Sequence, residues 1–163
     1  MPDFAPTEAR LLVTCSKYPA FPRQEAALVR LVKHLYKELH DQANASLREF
    51  GLNHPEYNIL MMLYGSADNA LNPSQLADAA GEKSANVTRL TTQLCDKGLI
   101  ARAGSDEDRR KVTLTLTPKG VETIEGFMPD IITLLHRQAR NLSEGEQGQL
   151  EVLLKKMLAG SGE

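Results

Sequence analysis

Within nine residues the chain places Ser84, Asn86, Thr88, Arg89 and Thr92, interleaved with apolar Val87 and Leu90. Asn and Arg side chains form paired hydrogen bonds with the edges of adenine and guanine, and Thr bonds a base or touches a thymine methyl. Further on, Asp108 is followed directly by Arg109, Arg110 and Lys111. Three adjacent cations suit contact with phosphate or insertion into a narrow minor groove. Asp106, Glu107 and Asp108 partly cancel that charge; an Asp beside an Arg also holds the guanidinium in place through a charge-assisted bond. The chemistry is recognition of a polyanion. There is no G-x-S-x-G, Walker or G-x-G-x-x-G sequence, so no enzyme is expected. His34, His40, His54 and His136 form no H-x-x-x-H set, so neither a metal nor a cofactor is expected.

A helix over residues 84–97 positions the first group. At about 100° per residue, Val87, Leu90, Thr91 and Leu94 share an inner face. Ala85, Thr88, Arg89, Thr92 and Asp96 then point outward, with Asn86 and Gln93 at the flank. A shorter helix precedes it, opened by the capping sequence Asn72-Pro73-Ser74-Gln75 and closed at Gly81. Asn53-His54-Pro55-Glu56 opens another, and residues 65–71 between them read as a polar loop. Beyond Gly98 the period changes. Residues 99–102 form a strand candidate, and Val112, Leu114 and Leu116 alternate with Thr113, Thr115 and Thr117. Helix, tight turn, helix and a two-stranded hairpin with a basic tip predict a winged helix-turn-helix lobe over residues 53–118.

The rest of the chain predicts helical arms. Residues 24–50 lack Pro and Gly and repeat Leu28, Leu31, Val32, Leu35, Leu39, Ala43 and Leu47 at helical spacing. A helix of that length, roughly 40 Å, exceeds what a small domain covers, so part of its apolar face is expected against another chain. Two further helices follow over residues 119–140 and 143–158, the first with Pro129 as a kink, the second with a Leu150–Leu158 apolar stripe. Residues 24–52 and 119–159 are therefore read as dimerisation helices. Residues 1–23 hold Pro2, Pro6, Pro19 and Pro22 and are read as an arm of short pieces. The whole, residues 1–163, is expected to be one mainly α domain with a small β-hairpin wing.

Composition agrees. The 163 residues are 42% hydrophobic, 25% charged and only 5% aromatic, without Trp, a balance that favours helices in an ordinary globular protein. No apolar run is long enough to cross a bilayer, so a cytoplasmic location without membrane contact is expected. The net charge of −2 hides a local excess: residues 81–119 carry eight Lys or Arg against five Asp or Glu.

At Leu76-Ala77, Gly81, Asn86-Val87-Thr88-Arg89, Leu94, Lys97-Gly98-Leu99-Ile100, Arg102, Asp108-Arg109-Arg110 and Leu114-Thr115-Leu116-Thr117-Pro118-Lys119-Gly120, the sequence resembles the MarR family of bacterial transcription regulators. The resemblance spans almost the whole chain. The entry Phe21-Pro22-Arg23-Gln24-Glu25 and the N-x-T-R stretch are most similar to its EmrR branch, repressors of multidrug-efflux operons. It implies a homodimer on a pseudo-palindromic double-stranded DNA operator, with recognition helices in major grooves and wings in flanking minor grooves. It also implies release by a small amphipathic or phenolic effector. Asp108 and Arg110 take the wing positions, although Ser105-Asp106-Glu107-Asp108 stands where many members have an acidic-Pro-Arg-Asp run.

His34, Tyr57, Met61 and Phe127 are candidate pocket residues for such an effector, adaptable apolar side chains that also serve as plain core. Cys15 opens a second reading, a thiol-based peroxide-responsive regulator of the same fold; Lys17 is the cation nearest to it in sequence. A third reading, from another class, is a ligand-binding or protein-interaction dimer that does not touch DNA.

Overall fold

The structure, a computed structural model, describes residues 3–81, 83–104 and 112–160. Two compact units divide after Ala45: Met1–Ala45 and Ser46–Glu163.

In the first unit, α1 (Ala5–Lys17) occupies most of the segment expected to be a broken arm. Its prolines do not break it: Pro6 lies in the first turn, where no amide donor is needed, and Pro19 and Pro22 lie beyond its end. The Asp3 carboxylate accepts from the Ala5 amide at 2.9 Å. α2 (Arg23–Leu47) is the long helix expected, and Leu28, Val29, Leu31, Val32, Leu35, Tyr36 and Leu39 on it are all exposed. A single 3-10 turn (Arg48–Phe50) tightens its end, and Gly51 closes the chain in the left-handed conformation, φ 66°.

The second unit, which takes in the last residues of α2 and this turn, continues into α3 (His54–Tyr64), started by a complete capping box: Asn53 Oδ1 accepts from the Glu56 amide and Glu56 Oε2 from the Asn53 amide. The same reciprocal pair, Asn72 and Gln75, starts α4 (Pro73–Ala80). Gly81, at φ 63°, turns the chain into α5 (Ser84–Asp96). Next come β2 (Ile100–Gly104) and β3 (Val112–Leu116), antiparallel in the register Ile100 to Leu116 through Gly104 to Val112.

The wing is not the two-stranded hairpin the alternation suggests. Ala70 and Leu71 form a further strand, β1, paired with Thr115 and Leu114, so the sheet order is β1-β3-β2. Residues 65–71 are correspondingly built rather than loose. Ser66 Oγ donates to the Leu63 carbonyl and accepts from the Ala70 amide, and Asn69, at φ 52°, offers its carbonyl to the Leu116 amide. Two residues are too few to show alternation.

Thr117 caps α6 (Pro118–Ala139), its hydroxyl accepting from the Gly120 amide, and Ser143 with Glu146 boxes the start of α7 (Glu144–Ala159). Ile59, Leu60, Leu63, Leu76, Val87, Leu90, Leu94, Leu114, Ile124 and Phe127 are the buried centre of this unit. Every residue of α7 is exposed, Val152 at 65% and Leu158 at 76%.

Candidate nucleic-acid interface

α5 carries the group of polar residues. Val87, Leu90, Thr91 and Leu94 are buried, whereas Ser84, Ala85, Thr88, Arg89, Thr92 and Asp96 are exposed and Asn86 and Gln93 half-buried, the division that helical periodicity predicts. Three hydroxyls on this helix donate to its own carbonyls: Thr88 to Ser84 at 3.0 Å, Thr92 to Thr88 at 2.9 Å and Thr91 to Thr88 at 3.1 Å. Arg89 does not extend freely. Its Nη1 donates to Gln93 Oε1 at 2.9 Å and its Nη2 to Asn86 Oδ1 at 2.8 Å.

Two sets of contacts fix α5 in the lobe. Arg102, on β2, donates from Nη2 to the buried Thr91 hydroxyl at 2.9 Å, joining the root of the wing to the inner face of α5. At the C-terminal end, Lys97 Nζ donates to Glu56 Oε1 at 2.6 Å and to the Gly51 carbonyl at 2.8 Å. Glu56 is 1% exposed; its second oxygen is the one in the α3 capping box, so both oxygens of a buried carboxylate are paired. The Lys97 carbonyl in turn accepts from Lys119 Nζ at 2.7 Å. Sequence reasoning gave Glu56 only its capping role and missed Thr91 with Arg102 and Glu56 with Lys97 as pairs. The only signal was the occurrence of Lys97, Arg102 and Lys119 in the family-like motif.

The wing tip, with Asp108, Arg109, Arg110 and Lys111, lies outside the described residues. Of the effector candidates, Tyr57 and Phe127 meet edge to face at 5.6 Å between ring centroids, and Phe50 meets Phe127 in the same way at 5.9 Å. His54 stacks on Tyr57 at 5.9 Å. Phe127 is fully buried, Met61 half-buried, and burial pushes the Tyr57 phenol above its ordinary pKa, so it stays neutral at physiological pH. His34 belongs to the first unit, where it meets Phe4 edge to face at 5.5 Å. Cys15, on α1, and Cys95, on α5, are half-buried free thiols.

Two helices joined at a glycine turn, the second with an exposed polar face, followed by an antiparallel hairpin, define a winged helix-turn-helix protein. Known proteins agree. Residues 52–112 match the MarR family. The transcriptional repressor MprA of Escherichia coli (strain K12) is 35% identical over 157 residues, covering 96% of this chain and 89% of that protein. The chain belongs to the MarR family. Among solved structures, a mutant MarR from E. coli complexed with operator DNA is similar at TM-score 0.74 and 25% identity, covering 80% of this chain and 93% of that one. The S. aureus MepR–DNA complex is similar at TM-score 0.73 and 27% identity, covering 83% and 96%.

Proposed function

We propose that this chain is a sequence-specific DNA-binding transcriptional repressor that acts as a homodimer on a pseudo-palindromic operator and is released by a small amphipathic or phenolic effector. The observation that carries the reading is the exposed face of α5, where Ser84, Thr88, Arg89 and Thr92, flanked by Asn86, stand outward on a helix locked to the lobe from behind. Such a face fits a major groove about 12 Å wide. Arg109, Arg110 and Lys111, oriented by Asp108, supply phosphate or minor-groove contacts from the wing. Relatives support it: MprA is named as a transcriptional repressor, and the MarR and MepR structures hold DNA. Residues 53–118 form the DNA-binding lobe, with dimerisation helices on either side, the exposed leucines of α2 and α7 being covered by a second copy.

The effector reading rests on Tyr57, Met61 and Phe127; the edge-to-face packing of Tyr57 on Phe127 closes the α3 and α6 contact. A flat phenolic molecule inserted between these rings separates the two helices. Any ligand that prefers the separated form lowers DNA affinity by the same factor by which DNA lowers its own.

Selection of binding fragments from random duplexes by the purified protein tests the reading. A pseudo-palindromic sequence should be enriched, and Arg89→Ala should lose about 1 to 3 kcal/mol of discrimination. No retention of random duplex DNA at low salt would leave a dimer that does not touch DNA. Competition with a panel of phenolic acids tests release; release by peroxide instead, abolished in Cys15→Ser, would favour the thiol reading.

A further inference from the structure

The bonds around Arg89 divide the α5 face into a reader and its supports. We infer that Asn86 and Gln93 are positioning residues that hold the Arg89 guanidinium as a preset fork for one guanine in each operator half-site; this rests on the DNA-binding reading above. Asn86 lies three residues before Arg89 and Gln93 four after it, so the two amides bracket the guanidinium from opposite sides along one helix face. Each offers its oxygen: Asn86 Oδ1 accepts from Nη2 at 2.8 Å and Gln93 Oε1 from Nη1 at 2.9 Å.

The arithmetic of donors decides what the fork recognises. A guanidinium has five N–H donors; the two amides take one from each terminal nitrogen and leave one on each. Two donors on adjacent terminal nitrogens match the O6 and N7 acceptors that guanine alone presents side by side in the major groove. The amide oxygens carry no formal charge, so the guanidinium keeps its full attraction for DNA. An exposed arginine ordinarily gives up much rotamer freedom on binding; one already held gives up less. Asn86 would otherwise read adenine with both its oxygen and its NH2 group. With the oxygen engaged by Arg89, it acts on the operator through that arginine, and so does Gln93.

The test compares Gln93→Met, which keeps length and helix propensity but has no amide oxygen, with Gln93→Glu, which keeps an acceptor. Both are made in wild-type and Arg89→Ala backgrounds. The readout is base preference at each position of the operator selected by the wild-type protein. Gln93→Met should reduce guanine preference at a single position per half-site about three- to tenfold, with an unchanged salt slope because no charge is altered. Gln93→Glu should keep that preference while lowering overall affinity, since it adds a negative charge facing phosphates. In Arg89→Ala, neither substitution should change base preference further. A loss at a second position, or additive losses with Arg89→Ala, would make Gln93 a base reader and overturn the inference. Full guanine preference in Gln93→Met would overturn it too. Failure of the wild-type protein to select any sequence would instead reject the DNA-binding reading itself.

Discussion

Lys97 ties together parts of the lobe that are distant in sequence. Its ammonium reaches Glu56 and the Gly51 carbonyl, and its own carbonyl receives Lys119. Lys97→Met removes the only cation paired with Glu56 among the described residues and leaves a buried carboxylate with its capping bond alone. Because Lys97 itself is part-exposed, the expected cost is about 2 to 3 kcal/mol, below that of a fully buried pair; urea unfolding measures it, and an unchanged midpoint would show that water replaces the ammonium. Beyond the place of Lys97 and Lys119 in the family-like motif, these pairings were not readable from the chain. Glu56 three residues after Asn53 announces a capping box because both partners are local, whereas its partner Lys97 is 41 residues away. Arg102 likewise reads as one of several surface cations until the strand brings it to Thr91. The outward residues of α5 were legible, since a single buried Val87 fixes the phase of every other side chain on a helix.

Elements were legible where local chemistry sets their ends. Asn53 and Asn72 each start a helix as their caps predict, and Gly81 ends one in the left-handed conformation. Missing were α1, hidden behind prolines that fall outside its hydrogen-bonded interior, and β1, whose pairing with β3 spans more than forty residues. Gly120 shows how closely two elements approach: a Cβ there would stand 2.1 Å from the Leu99 carbonyl oxygen. Gly120→Ala must therefore push the start of α6 off the chain entering β2, at about 1 to 3 kcal/mol, visible as a lowered melting temperature. Glu146 offers a pH test. Bonds from the Ser143 amide and hydroxyl hold its carboxyl below the usual glutamate range. The capping contribution to α7 is thus fully present above the unfolded glutamate pKa and is lost as pH falls through the lower, folded value. Carboxyl NMR should find Glu146 titrating low, and Ser143→Ala should raise its midpoint; equal midpoints in the two proteins would remove the cap from α7.

For the molecule as a whole, the apolar surface of α7 is the clearest sign that one protomer is incomplete. Leu150, Leu153, Leu154, Met157 and Leu158 all face solvent, a patch that a monomer in water rarely keeps. Light scattering should give twice the 18.0 kDa of one chain, and Leu154→Glu, which places a charge in the proposed interface, should return the mass toward one chain. A monomeric wild type would remove α7 from the interface. That a partner is needed was legible in the length of α2 and the stripe of α7. The division after Ala45, inside an unbroken helix, was not, because helical periodicity runs on unchanged through it. The Lys97 junction also sets how the lobe breathes. With α3, the end of α5 and the start of α6 meeting at one side chain and one carbonyl, their backbone amides should exchange with deuterated solvent in a single cooperative opening, slower than those of α7. DNA bound at α5 would then slow exchange in α3 as well, at amides that never touch it.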